Sequence, residues 1–374
     1  MTPIFLFGTL RDARLFETVT GRPLAGGRPA VLPDERAAVA ADGDWPVLVP
    51  GAGADGLLVE VDDTALARLD FYEGIFGYER VDTSVETADG PAPAQLWRPA
   101  GGADQRGGPD WDLAVWREDW GAVTAMAAAD MMRRFGKVPA SEAARVAGIV
   151  RSRAQSRLST AQWRRPRRIG AGLTLADVQV ENRRHPYDGF FAVEEMRARF
   201  RRFDGAGDHL VDRAVFHVAD AVTVLPYDPV RDRILLIEQL RFGPLAHGDP
   251  SPWLLEPIAG MIDAGETPEQ TARRETIEEA GLTLGALHFI ARYYPSPGGI
   301  AQVLLSYVGI ADLPDSVIGT GGHPGEDEDI LSHLVPFDLA VEMLEQGDMA
   351  NAPLVISMQW LMARRARLRA ATAA

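Results

Sequence analysis

Five residues between positions 266 and 279 carry the densest chemical signal in the sequence: Glu266, Arg274, Glu275, Glu278 and Glu279. Glu275, Glu278 and Glu279 are spaced i, i+3 and i+4, which puts all three carboxylates on one face of a helix. The flanking residues specify that helix locally. Thr267 is a good N-cap, Pro268 suits the first helical position, Gln270 completes a capping box with Thr267, and Gly281 is placed to end the helix. The spacing therefore predicts a helix over 268–280. Three like charges on one face repel one another, and they lie in the C-terminal half, where the helix dipole disfavours anions. A divalent cation with oxygen ligands, Mg²⁺ or Mn²⁺, would neutralise them. Taken alone, the pattern fits a solvated acidic face equally well.

The elements that must position this face follow from the rest of the chain. Strands are expected at 172–179, 189–194, 221–227 and 233–240 ahead of the helix, and at 286–293 and 302–309 after it. Two helices, 338–346 and 352–368, should close the chain. The first hundred residues read as β-rich, with short strands at 4–7, 56–61 and 94–99. A Gly/Asp-rich break at 100–111 looks like a domain edge. A helical stretch at 116–136 follows. Residues 151–170 hold seven arginines and no acid, and read as a solvated linker.

Composition sets the outer bounds. At 374 residues, 46% hydrophobic and 24% charged, the chain has material for two cores. The expected division is 1–112, a helical and arginine-rich linker at 113–170, and 171–374. The absence of cysteine excludes disulfides, thiolate metal sites and cysteine nucleophiles. The seven histidines form no HxH or HxxxH pair. A net charge of −15 argues against a general nucleic-acid or membrane-surface binder. The N-terminus lacks a basic leader and no apolar run reaches a membrane span, so a cytoplasmic protein is expected.

The order G-x5-E-x7-R-E-x2-E-E-x-G is complete here in Gly260, Glu266, Arg274, Glu275, Glu278, Glu279 and Gly281, and it resembles the Nudix box. Thr276 departs from the usual aliphatic residue. The resemblance implies an α/β/α sandwich hydrolysing a nucleoside diphosphate linked to another moiety. It implies Glu275 and Glu279 as metal ligands, Glu278 as a ligand or the hydrogen-bond partner of one, and the Ala259 carbonyl as a further donor. Arg274 would orient the carboxylates through Glu266. Water would attack phosphorus with the ions polarising the diphosphate.

Flanking residues narrow the substrate. PWLLEPIAGMIDAGE at 252–266, Pro297 sixteen positions beyond Gly281, and the acidic loop GEDEDI at 325–330 resemble the ADP-ribose pyrophosphatase subgroup. That resemblance implies Glu326 as catalytic base, with Glu328 as alternative base or third metal contact. Phe190 or Phe191 would stack on adenine, and Arg213 and Arg241 would hold the diphosphate and ribose. The segment 187–203 resembles strands that this subgroup exchanges in a homodimer. The alternatives are another nucleoside diphosphate derivative (a nucleotide sugar or dinucleotide) or a non-catalytic ADP-ribose sensor.

At the other end, IFLFGTLRD at 4–12 places a glycine turn after an apolar strand, and LDFYEGIFGYERV follows at 69–81. Together they resemble the γ-glutamylcyclotransferase-like family over about 1–100. That implies an α+β protein of two domains, the first a mixed β-barrel with helices. Glu73 would be a general base, and Gly8, Thr9 and Leu10 would hold the substrate's carboxylate or the developing oxyanion. The other reading is a binding or dimerisation module.

Overall fold

Strands whose side chains alternate between two apolar layers organise both halves of the chain. The computed structural model describes residues 1–41, 43–102, 107–322 and 328–372. They form two compact units, Met1–Leu158 and Ser159–Ala374.

In the first unit a closed five-stranded barrel runs in the order Thr2–Leu6, Ala54–Val61, Arg28–Leu32, Tyr78–Thr87, Gly90–Pro99. Thr2–Leu6 pairs antiparallel with Ala54–Val61 and parallel with Gly90–Pro99. Period-two alternation sends Phe5, Leu58 and Leu96 into one core. Ile4, Leu6, Val59 and Val61 go into another, against the helices. The break at 100–111 does not end this unit. Gly107–Asp110 pairs with Glu35–Ala40. Leu113–Trp116, Ala122–Met132 and Ala147–Gln162 then pack Trp116, Val123, Ala128, Val150 and Ala154 onto the barrel's helical core. Much of the expected linker is thus interior structure. Two of its arginines are partnered within the unit: Arg151 pairs with Asp44 at 2.6 Å and Arg157 with Asp130 at 2.5 Å.

The second unit is built on an eight-stranded sheet. In Ala221–Asp228, Val222 and Val224 face one core while Leu225 and Tyr227 face the other. Leu235 and Ile237 of Arg233–Leu240 share the first core, and Ile234 and Leu236 the second. Such strands, apolar on both faces, need cover on both sides. The helix Pro268–Ala280 covers one, through Ala272. Phe337–Gln346 and Ala352–Met362 cover the other, through Ala340, Leu354 and Met358. This is the α/β/α sandwich. The closing helix stops at Met362 and a separate one runs Arg365–Thr372, where one helix over 352–368 was expected.

A separate sheet precedes the sandwich: Val178–Asp188, Ala192–Arg201 and Asp208–His217, antiparallel, with Ile300–Ala301 added alongside. The strand expected at 172–179 begins only at Val178. Thr174 and Asp177 cap each other's backbone and fix a short 3₁₀ turn over Leu175–Asp177 instead. The strand expected at 189–194 starts at Ala192 and continues to Arg201. Among the described residues, no helix is long and apolar enough to cross a membrane.

Candidate active sites

The carboxylate helix runs Pro268–Ala280 with the ends the sequence specifies. Thr267 Oγ1 accepts from the Gln270 N–H at 3.2 Å, and Gln270 Oε1 accepts from the Thr267 N–H at 2.8 Å. Gly281 ends the helix at φ 63°, a left-handed conformation that favours glycine. Thr276 is fully buried, and its hydroxyl is satisfied by donating to the Ala272 carbonyl at 2.7 Å, so the departure from an aliphatic residue is absorbed within the helix.

Arg274 is the hub of the acidic face. Its Nε and Nη2 donate to the two oxygens of Glu266, each at 2.9 Å, and its Nη1 donates to Glu275 at 2.7 Å and Glu278 at 2.9 Å. These bonds hold the guanidinium well above its ordinary range and the Glu266 carboxyl below its own. Thr271, which nothing in the spacing singled out, fixes Glu266 from the other side at 2.8 Å. A Cβ at Gly260 would lie 1.9 Å from the Glu275 carboxylate, so the glycine leaves that side chain room where it now lies.

Glu279 differs from its neighbours. It is 1% exposed and accepts from the Ala259 N–H at 3.3 Å. Burial, and after it the charge of Glu275, push its carboxyl up to about 9; the charge of Glu328 adds to this and that of Arg241 opposes it. A buried carboxylate beside like charges calls for a cation. The donors at this face are carboxylate oxygens, which suit a hard divalent ion. Among the described residues no three acidic or imidazole groups converge as a finished metal cage. Glu275 and Glu278 are instead drawn onto Arg274.

The other expected residues divide. Arg241 is brought toward this face, its guanidinium held by buried Glu256 at 2.7 Å, and Glu256 is fixed in turn by Asn351 at 2.7 Å. Asn351 also caps the helix Ala352–Met362. This support was not foreseen, because Glu256 and Asn351 are far apart in sequence. Arg213 is exposed on the separate sheet, where it lines a cavity of about 480 Å³ that no box residue lines. Phe190 and Phe191 are part-exposed and stack edge-on at 4.9 Å, with Phe191 packed on Phe216. Pro297 sits on an exposed loop before Ile300–Ala301. Glu326 lies outside the described residues, whereas Glu328 is half-buried.

The first unit holds a cavity of about 800 Å³. Gly8, Thr9 and Leu10 line it from the turn after the first strand, and Glu73 lines it from the helix Asp63–Ile75. Burial alone pushes the Glu73 carboxyl up to about 7. Tyr72 beside it is raised as well, by burial and then by the charge of Glu73. Arg151 also lines this cavity, a residue the sequence reading left in a linker.

The sandwich, the capped helix and the complete acidic set are those of a hydrolase of the Nudix class. Residues 217–356 match the NUDIX domain family model, and residues 4–118 match that of the Gamma-glutamyl cyclotransferase, AIG2-like family. The chain is 41% identical over 185 residues to the ADP-ribose pyrophosphatase of Escherichia coli (strain K12), covering 50% of this chain and 88% of that protein. It is 34% identical over 208 residues to the ADP-ribose pyrophosphatase of Haemophilus influenzae (strain ATCC 51907 / DSM 11121 / KW20 / Rd), covering 55% and 95%. It is 33% identical over 149 residues to the GDP-mannose pyrophosphatase of Enterobacter sp. (strain 638), covering 40% and 76%. The chain belongs to the Nudix hydrolase family, whose members generally use divalent metal ions, and carries an AIG2-like domain at its N-terminal end.

Proposed function

We propose that the second unit hydrolyses the diphosphate bond of ADP-ribose to AMP and ribose 5-phosphate with Mg²⁺ or Mn²⁺. The observation that carries this reading is the buried Glu279 beside Glu275, where a divalent cation would take the place of the proton that burial and the like charge otherwise hold on Glu279. Likeness to two ADP-ribose pyrophosphatases favours that substrate over a nucleotide sugar. Glu275, Glu279, Glu278 and the Ala259 carbonyl would hold the metal. Once bound, a divalent ion supplies charge neutralisation and Lewis-acid polarisation of the diphosphate. Arg274 holds Glu275 and Glu278 until then. Arg241 and Arg213 would grip the substrate's phosphates and ribose, Phe190 or Phe191 its adenine, and Pro297 would shape the pocket. Glu326 takes the proton from the attacking water, with Glu328 as the alternative base. A homodimer through the 187–203 segment and a cytoplasmic location belong to the same reading. A panel of ADP-ribose, GDP-mannose and a dinucleoside polyphosphate tests it. ADP-ribose should be turned over with the highest kcat/KM; a higher value for GDP-mannose overturns the substrate assignment, and binding without turnover points to a sensor.

One observation favours a second activity in the first unit. Glu73 faces the same cavity as the Gly8–Leu10 turn with a carboxyl near neutrality, where a general base works best. Cyclisation of a γ-glutamyl amide to 5-oxoproline uses such a base. Release of 5-oxoproline, lost in Glu73→Gln, is the test.

A further inference from the structure

The cavity beside Glu73 has two unlike walls. The barrel side comes from residues inside the AIG2-like match, 4–118. The opposite side comes from beyond it, from Thr124, Met131, Gly148 and Arg151 among others. These later helices therefore shape the pocket with residues that the family match does not span. The lining is mainly apolar and aromatic, with Trp45, Phe76, Trp97 and Trp116 contributing.

Among the described residues Arg151 is the cationic side chain in that lining, which the acids Asp44 and Glu73 share. One edge of its guanidinium is committed to Asp44 at 2.6 Å, and its plane lies 4.8 Å from the centre of the Trp120 ring. Its Nε is buried and has no acceptor among the described residues. A planar guanidinium fixed by a carboxylate and an indole is preorganised, and its terminal nitrogens, not the buried Nε, are the donors it would offer a second carboxylate. It lines the same cavity as Tyr72 and Glu73, so the anion it holds would lie in the same site. The aromatic walls favour a ligand with a large apolar body.

We infer that Arg151 anchors the α-carboxylate of a γ-glutamyl amide, and that the aromatic wall takes a bulky apolar group on the departing amine. This rests on the cyclotransferase reading of Glu73. It leaves the N–H groups of the Gly8–Leu10 turn to the carbonyl oxygen. The α-nitrogen attacks the γ-carbonyl carbon and the bond to the amine breaks. The proton lost from the α-nitrogen passes through Glu73 to the departing amine, so no further reactant is consumed.

Three probes test this on the full-length protein: γ-glutamyl anilide, γ-glutamyl methylamide, and 4-aminobutyryl anilide, which lacks the α-carboxylate. Calorimetry with Glu73→Gln reads binding without turnover. The anilide should bind at least about tenfold tighter than either other compound, the loss expected for a charge-assisted pair or a buried ring. Arg151→Gln on that background should bring γ-glutamyl anilide and 4-aminobutyryl anilide to within about twofold. Equal binding of those two by a chain that keeps Arg151 overturns the anchor, and that comparison decides even should the Arg151 variant fail to fold. Equal binding of anilide and methylamide overturns the apolar class, and no binding of the anilide overturns both. Tight anilide binding with no 5-oxoproline from the wild-type chain removes the cyclotransferase reading and leaves the anchor standing.

Discussion

Glu73 and Glu279 are both carboxylates pushed upward by burial, yet they are built for different work. Glu73 faces a cavity and is raised by desolvation alone, to about 7. Glu279 is raised further, to about 9, because Glu275 adds a like charge to the burial. A lone desolvated carboxylate is a proton acceptor poised near neutral pH. A desolvated carboxylate in a crowd of its own sign keeps its proton until a cation replaces it. The count of like charges around the group separates the two cases.

The largest expected effect lies on the crowded side. Glu279→Gln and Glu275→Gln should each lower kcat for ADP-ribose by roughly three orders of magnitude, the several kcal/mol a catalytic metal contributes. Wild-type turnover by either variant at saturating metal would erase the distinction between the two sites. Next, Glu73→Gln should cut 5-oxoproline release by about 10²–10⁴-fold while ADP-ribose hydrolysis stays within twofold of wild type. A parallel fall in both activities would mean that Glu73 supports the fold instead.

Stability against pH sharpens the contrast at smaller scale. The folded state holds the Glu73 proton to about 7, whereas the ordinary value is 4.5. Folded protein therefore binds more protons across that window, and stability falls as pH rises through it. Melting of Glu73→Gln should match wild type near pH 4 and exceed it near pH 8; an unchanged difference across that range argues that the carboxylate is well solvated. Smallest is Asn351→Ala, which removes a helix cap and one support of Glu256. It should cost about 1 kcal/mol by chemical denaturation and raise KM for ADP-ribose more than it lowers kcat.

How far the sequence could be read follows the same division. The acidic helix was legible to its ends because capping box, N1 proline and terminal glycine all act within a few residues. The strands expected at 221–227 and 233–240 were legible as short apolar runs bounded by turn residues. The Arg274 hub was legible in part: its bond to Glu266 follows from the box, but the support from Thr271 needed coordinates. The helix Ala147–Gln162 was missed because its arginines dominate the composition. Val150, Ala154 and Leu158, four apart, were the available sign of a buried face. The pairing of Arg151 with Asp44 joins residues 107 apart and has no local signature. Residues 323–327, with Glu326, lie outside the described structure, so the base assignment rests on resemblance.

The most direct test of the cation claim is diffraction from crystals soaked in Mn²⁺ with a non-hydrolysable ADP-ribose analogue. Anomalous density about 2.1–2.2 Å from carboxylate oxygens of both Glu275 and Glu279, with Arg274 released from Glu275, is the expected result. Full substrate density with no anomalous peak, and Arg274 still bound to Glu275 and Glu278, would contradict it.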